Sequence, residues 1–344
     1  MRLLILGGGV FLGAAVLDAA LGRGHDITVF NRGRARRAWP AGVEPLTGDR
    51  VADLQLLAGR RWDAVIDTCG YVPADVQAGA AALGAACDAY LFVSSVSAYA
   101  DTTEPMTAED HPLASFAGIA RDERDLRHYG PQKAACEAEV QRQFGARALI
   151  VRPGLIVGPG DRSGRFSHWV WRAAAGGAML VPDVPNNRAL QFIDVRDLAA
   201  WMLRLLESGT RGALNGSGPV GDVTIGWDTL IAACRAEAAA RGVTPAQAVR
   251  VGEAFLLQHG VQPWSELPLW LPSIDPEYAG FNRDLTRATA AGLRTRPLRQ
   301  TIAAVLDEGL PPLDDKRRAG KLTREREAQL LAAWAATQPR RSAP

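Results

Sequence analysis

The feature that most constrains this chain is its opening. The short apolar run Leu3-Leu4-Ile5-Leu6 leads directly into the glycine turn Gly7-Gly8-Gly9. A helix-compatible stretch then extends to Leu21, Gly22 and Gly24 stop it, and Ile27-Thr28-Val29-Phe30 forms a second β-rich run. Strand, glycine turn, helix and strand make one βαβ unit, which obliges the two strands to pair in parallel and covers the sheet with a helix. The pattern recurs with Trp62–Asp67, the Ala-rich stretch from Ala74 to Cys87, and Tyr90–Val93. It recurs again where Tyr129 to Phe144 leads into Ala148–Val151. Alternation of this kind predicts an α/β fold of Rossmann type, with a doubly wound parallel sheet and a smaller C-terminal region.

Texture changes after Arg152-Pro153-Gly154, where prolines at 159, 182 and 185 accompany irregular aromatic stretches. The expected organisation is a nucleotide-binding domain over residues 1–155, with 190–215 returning to it. A substrate-binding region would occupy 156–189 and 216–310, and a charged tail 311–344, with a helix opened by Thr323. Leu256 to Phe281, with Trp264, Trp270, Tyr278 and four prolines, suits a lid or wall rather than a helix.

Composition excludes several classes. A formal charge of +2 over 344 residues is too small to draw in nucleic acid or an anionic membrane. Neither partner is expected. No stretch approaches ~20 unbroken apolar residues, and the glycine cluster interrupts any reading of the N-terminus as a signal peptide. Cys69, Cys87, Cys136 and Cys234 show no C-x-x-C spacing, which fits a reducing, cytoplasmic setting. Five histidines without ligand spacing argue against a metal. Gly154-Leu155-Ile156-Val157-Gly158 lacks the serine of a nucleophile elbow, which removes a hydrolase reading.

A glycine turn that opens a helix lets the backbone approach a pyrophosphate and offers unpaired N–H groups at the positive end of the helix dipole. Gly7, Gly9, Val10, Phe11, Leu12 and Gly13 are the expected phosphate-side contacts. At the end of the second strand, where a carboxylate would hold the ribose of NAD(H), the chain reads Asn31-Arg32-Gly33-Arg34-Ala35-Arg36-Arg37. With no acid present, Asn31, Arg32 and Arg34 favour the 2′-phosphate of NADP(H) over NAD(H), although NAD(H) stays possible.

Tyr129-Gly130-Pro131-Gln132-Lys133 places a phenol and an ammonium one helical turn apart. An adjacent ammonium is expected to lower the phenol pKa toward the operating range. Ser94-Ser95-Val96-Ser97 follows the strand Leu91-Phe92-Val93, so its hydroxyls stand at the carboxyl end of the sheet, where ligands bind.

These motifs resemble the short-chain dehydrogenase/reductase superfamily, in its extended and atypical branch, the NAD-dependent epimerase/dehydratase proteins. The resemblance covers about residues 1–308. Phe11-Leu12-Gly13 is similar to that group's G-F-I-G, with Val10 standing where a glycine is common. Val151-Arg152-Pro153-Gly154 through Gly158-Pro159 and Gln191 to Ala199 resemble two further motifs. The resemblance implies that Asp49 contacts adenine, that Thr68, Cys69 and Gly70 line the nicotinamide ribose, and that Pro153 also meets the cofactor. It implies Ser95, Tyr129 and Lys133 as catalytic residues. The 4,6-dehydratases of the group carry an acid pair where this chain has Val96 and Ser97, which argues against dehydration. Reduction of a carbonyl, or oxidation of a secondary alcohol, is the expected chemistry. The substrate would be a small ketone, a natural-product intermediate or a nucleotide sugar. A sugar-nucleotide epimerase with tightly bound NAD(P), or a catalytically silent cofactor-binding regulator, are the alternatives. Ser97, Arg162, Arg165, Trp169, Arg188 and Trp264 are the expected substrate contacts, the tryptophans standing equally for core or lid packing. Relatives that pair through two helices imply a homodimer built on the helix after Tyr129 and the Ala-rich helix.

Overall fold

The structure is a computed structural model and describes residues 1–34, 38–101, 103–185, 188–221, 223–276, 282–312 and 315–338. Its strands are β1 (Arg2–Leu6), β2 (Asp26–Asn31), β3 (Val43–Thr47), β4 (Trp62–Asp67), β5 (Cys87–Val93), β6 (Ala148–Pro153), β7 (Leu155–Val157), β8 (Ala178–Asp183), β9 (Phe192–Asp194), β10 (Gly212–Gly216) and β11 (Gln247–Gly252). Its helices are α1 (Phe11–Leu21), α2 (Pro73–Leu83), α3 (Tyr129–Phe144), α4 (Arg165–Ala174), α5 (Val195–Glu207), α6 (Trp227–Ala240), α7 (Glu253–Gln258), α8 (Thr286–Ala290), α9 (Leu298–Asp307) and α10 (Arg324–Thr337).

Two compact units share the chain. The first comprises Met1–Ile156, Gln191–Asp222 and Gly280–Thr295. Its seven strands run in the order β10-β6-β5-β4-β1-β2-β3, every pair parallel. Strand β1 reads as an unbroken apolar run because both faces of the sheet are covered. Leu3 and Ile5 point to the side packed by Val16, Leu17, Leu198 and Met202, and Leu4 and Leu6 point to the side packed by Val76, Val140 and Phe144. The chain winds one way from β1 and the other way from β4, so the carboxyl ends of these two strands form the switch point where such sheets bind ligands.

Residues 282–295 lie in this first unit, not in the region where the sequence reading placed them. The Arg283 N–H donates to Gln191 Oε1 at 2.8 Å, Gln191 Nε2 donates to the Arg283 carbonyl at 2.9 Å, and Asn215 Nδ2 donates to the Asp284 carbonyl at 3.0 Å. Backbone groups are captured by the half-buried Gln191 and buried Asn215 amides, a signal with no periodicity to read.

The second unit comprises Val157–Leu190, Val223–Ala279 and Arg296–Pro344. It pairs β8 with β11 in parallel. Around them Trp169, Trp227 and Trp270 are fully buried, the first two meeting edge to face at 4.8 Å. The chain beyond 311 was expected to be a separate tail. Thr323 does cap α10, accepting from the Arg326 N–H, but α10 is integral to this unit. Its Glu327 is buried, accepts from Arg172 Nε at 2.8 Å and caps the Leu180 N–H at 2.9 Å.

Candidate active site

The glycine turn is held from two directions. Gly7 has φ +112°, and a Cβ there would stand 2.4 Å from Thr68 Oγ1, while one at Gly13 would stand 2.6 Å from the Gly8 nitrogen. Larger residues at either place would force the turn apart. Asn31 Nδ2 donates to the Gly7 carbonyl at 2.8 Å, and Asn31 Oδ1 accepts from the Gly33 N–H at 2.8 Å. Asn31, expected as a cofactor contact, thus braces the turn. Helix α1 begins at Val10 without a side-chain cap, so its first-turn N–H groups fit an anion such as a pyrophosphate. Phe11 sits in the left-handed region with φ +43°, the kind of backbone strain that collects at ligand clamps.

Beside this turn lies the loop after β3. Asp49 Oδ1 accepts from the Val51 N–H at 2.9 Å. That bond lowers the Asp49 pKa most, and Arg32 and Arg34 lower it further. Both arginines are exposed, while Arg36 and Arg37 lie outside the described residues. A cationic surface therefore faces the Asp49 loop.

At the end of β4, Thr68 Oγ1 donates to the Leu6 carbonyl at 2.9 Å, tying the 67–70 turn to the glycine turn. Asp67 is fully buried. Its carboxylate accepts two bonds from Arg50 at 2.9 Å, one from the Tyr90 hydroxyl at 2.9 Å and one from the Cys69 N–H at 3.0 Å. Cys69 is no nucleophile, since burial pushes its thiol up to about 11. All four cysteines are free thiols.

Ser95 closes β5 and accepts from the Ser97 N–H at 3.1 Å. Opposite it, α3 starts at Tyr129. A Cβ on Gly130 would come within 2.3 Å of the Ser97 carbonyl, so glycine is what lets the first turn of α3 press against this segment. The contact brings the Tyr129 hydroxyl near Ser95, whose side chain acts to lower the phenol pKa. One turn on, the buried Lys133 Nζ donates to the Gly70 carbonyl at 2.7 Å and the Val93 carbonyl at 2.8 Å. The rings of Tyr71, Phe92 and Tyr129 surround it at 4.7, 4.9 and 5.9 Å.

The electrostatics differ from the sequence expectation. Burial pushes the Tyr129 phenol up to about 12, and the opposing influence is the nearby Ser95 side chain, with no lowering by Lys133. Burial also pulls Lys133 down to about 8. Two buried groups that satisfy carbonyls and hydroxyls are each driven toward their neutral forms. Tyr129 is accordingly a protonated donor.

Helix α3 is itself anchored. Arg152 at β6 donates from Nε and Nη2 to Glu137 at 3.0 and 2.8 Å, and from Nη1 to the Tyr99 hydroxyl at 3.0 Å and the Glu109 carbonyl at 2.9 Å. Glu137 lies one turn beyond Lys133 on the inward face. The sequence reading gave no role to this pair or to Arg50. A charged residue four places after Lys133 on a buried face was the available signal for Glu137. Pro153 is buried at the end of β6 beside them.

Ser97 is exposed next to Ser95. The remaining expected substrate contacts belong to the second unit. Arg165 lies over the Trp264 ring at 5.3 Å, Arg162 is exposed, and Arg188 Nη2 reaches the Pro272 carbonyl at 3.4 Å. Trp169 corrects the expectation, because with no exposed surface and its indole N–H given to the Pro268 carbonyl at 2.7 Å it is a core residue. Tyr278 and Phe281 of the expected wall lie outside the described residues. Among the described residues no cluster of His, Cys, Asp or Glu could hold a metal ion, and no helix is long and apolar enough to cross a membrane.

Comparison with known proteins places this geometry. Residues 72–217 match the NAD dependent epimerase/dehydratase family. The chain is 30% identical over 226 residues to a 2′-dehydrokanamycin reductase of Streptomyces kanamyceticus, a match covering 62% of this chain and 60% of that protein. It is 32% identical over 220 residues to a 2-alkyl-3-oxoalkanoate reductase of Stenotrophomonas maltophilia (strain K279a), covering 59% of this chain and 64% of that protein. The match thus spans less than two thirds of either relative. In fold, it is similar to the Bordetella bronchiseptica enzyme WbmH in complex with NAD+, with a TM-score of 0.64 at 17% identity over 90% of this chain and 99% of that one.

Proposed function

This chain belongs to the NAD-dependent epimerase/dehydratase family of extended short-chain dehydrogenases/reductases, and from that premise we propose that it is an NADP(H)-dependent reductase of a small-molecule carbonyl. The observation that carries the reading is the assembly of Ser95, Tyr129 and Lys133 at the switch-point end of the parallel sheet, where Gly130 lets the first turn of α3 press against the Ser95–Ser97 segment. Tyr129 gives its proton to a substrate oxygen on reduction and takes it back in the reverse direction, so the choice of reduction rests on the two reductases that the chain resembles. The uncapped start of α1 and the glycine turn fit the pyrophosphate of a nicotinamide nucleotide, which supplies the hydride when bound. Tyr129 protonates the oxygen as negative charge develops there. Ser95 hydrogen-bonds the same oxygen and lowers the energy of that charge. Lys133, tied to Gly70 and Val93, holds the ribose beside the turn that carries Thr68 and Cys69. Carbonyl-dependent consumption of NADPH, assayed with a panel of ketones and nucleotide sugars, tests the reading. NADPH binding with no turnover of any of them would instead favour the regulator.

Preference for NADP(H) rests on the cationic surface of Arg32 and Arg34 over the Asp49 loop, with no carboxylate at the end of β2. A charge-assisted bond to a phosphate contributes ~1.5–3 kcal/mol, which is more than tenfold in affinity. Arg32→Ala is expected to weaken NADPH at least tenfold and NADH little, measured by fluorescence titration. Equal affinity of the unaltered protein for both nucleotides would show that the arginines serve another purpose.

A homodimer through α2 and α3 is part of the same reading, supported by the exposed small side chains Ala81, Ala82 and Ala85. The N-terminal half of α2 and the C-terminal half of α3 are crossed by the chain itself, since Arg124 pairs with Asp75 and Arg121 with Glu139. The pairing surface is therefore expected at the C-terminal half of α2. Light scattering should report twice 36.8 kDa, and Ala81→Glu should return the monomer. A monomeric mass for the unaltered protein at micromolar concentration would remove the dimer.

A further inference from the structure

We infer that the buried Arg50–Asp67 ion pair is a positioning pair for Lys133, fixing the turn whose carbonyl holds the lysine ammonium and supplying the negative charge that keeps it an ammonium. The inference deepens the functional reading above and rests on it.

A continuous chain of contacts carries it. Arg50 grips both carboxylate oxygens of Asp67 at 2.9 Å, a two-point arrangement that fixes the carboxylate plane. Asp67 Oδ1 in turn accepts from the Cys69 N–H at 3.0 Å, which sets the course of the 67–70 turn. Gly70 follows with no freedom to shift, because a Cβ there would stand 2.6 Å from Phe92 and 3.0 Å from Asp67 Oδ2. Its carbonyl accepts from Lys133 Nζ at 2.7 Å. Five residues on three segments, the loop after β3, the 67–70 turn and α3, are thus held in register by consecutive bonds. Arg50 also follows Asp49 directly, so the pair ties the loop expected to meet adenine to the lysine expected to meet the ribose.

The electrostatic half follows from what faces Lys133. From α3 come Cys136 and the Tyr129 ring, from β5 the Phe92 ring, from the 67–71 turn Asp67, Cys69 and the Tyr71 ring, and from the loop after β3 Arg50. With both thiols pushed well up, to about 11 at Cys69 and about 12 at Cys136, Asp67 is the anion of this set near neutral pH. Arg50 opposes it more weakly at Lys133. A lysine so buried, pulled down to about 8, depends on that carboxylate for its charge.

The test measures NADPH affinity and carbonyl turnover against pH in the unaltered protein, Asp67→Asn, and the double variant Arg50→Gln/Asp67→Asn. Both quantities should fall in the unaltered protein as pH rises through about 8, where Lys133 loses its charge. Asp67→Asn leaves Arg50 as an unopposed cation and should move that midpoint down by about one pH unit or more. The double variant should lie between the two, and it keeps the test open if the single variant does not fold, since it removes the unopposed Arg50 cation. A purely structural pair would lower thermal stability in both variants and leave the midpoint where it was, which overturns the inference. Failure of the unaltered protein to bind NADPH or to turn over a carbonyl would overturn the functional reading instead, a separate outcome.

Discussion

Tyr129→Phe is expected to lower carbonyl turnover by at least ~10²-fold while leaving NADPH affinity close to that of the unaltered protein, because general acid–base groups typically contribute ~10²–10⁴ in rate. The substitution removes one hydroxyl and keeps the ring that stands 5.9 Å from the Lys133 ammonium. Ser95 keeps its bond from the Ser97 N–H and stays in place. Turnover and binding should therefore separate cleanly. Parallel steady-state kinetics and fluorescence titration check this, and turnover within a few-fold of the unaltered protein would remove Tyr129 from the chemistry.

The largest expected loss of stability comes from Glu137→Ala. Arg152 and Glu137 are both about 95% buried side chains, at 5% and 4% exposure, so removing the carboxylate leaves a guanidinium without its countercharge inside the first unit. Breaking such a pair costs about 3–5 kcal/mol, well above the typical single substitution. Raising pH does not relieve it, since a guanidinium keeps its proton throughout the range in which the protein is handled. Urea unfolding followed by tryptophan fluorescence should show a midpoint lower by about 1 M or more. Because the pair anchors α3, the Ser95–Tyr129 contact should loosen and activity should fall even under conditions where the variant stays folded. A midpoint unchanged from that of the unaltered protein would mean that the ion pair contributes no more than a surface bridge.

Local chemistry made part of this molecule legible in its sequence. The β1–α1–β2 unit could be read because a strand buried on both faces writes an unbroken apolar run and the turn after it demands glycine at Gly7 and Gly13. Tyr129 and Lys133 could be read because one helical turn separates them. What escaped reading depends on pairs far apart in sequence. Arg50 meets Asp67 only because β3 and β4 end at the same edge of the sheet. Glu327 finds Arg172 across 155 positions, which is why the charged C-terminal stretch looked like a tail. Trp169 misled for a related reason. An aromatic near a proposed binding segment has the same composition whether its indole N–H meets a ligand or, as here, the Pro268 carbonyl. The tuning of Tyr129 escaped too, since spacing brings Lys133 near but burial decides both protonation states.

The division of the first unit among three stretches of chain bears on how the protein is made. Strand β6 is complete at residue 153, but its outer neighbour β10 ends only at residue 216. At the usual ~5–20 residues per second, a ribosome takes roughly 3–13 s to bridge that gap, during which β6 presents an open edge to other nascent chains. Residues 282–295 arrive later still. The first unit, which β1 opens, is therefore completed only after the intervening stretches of the second unit have been made, and chaperone cover over that interval should govern the yield of folded protein.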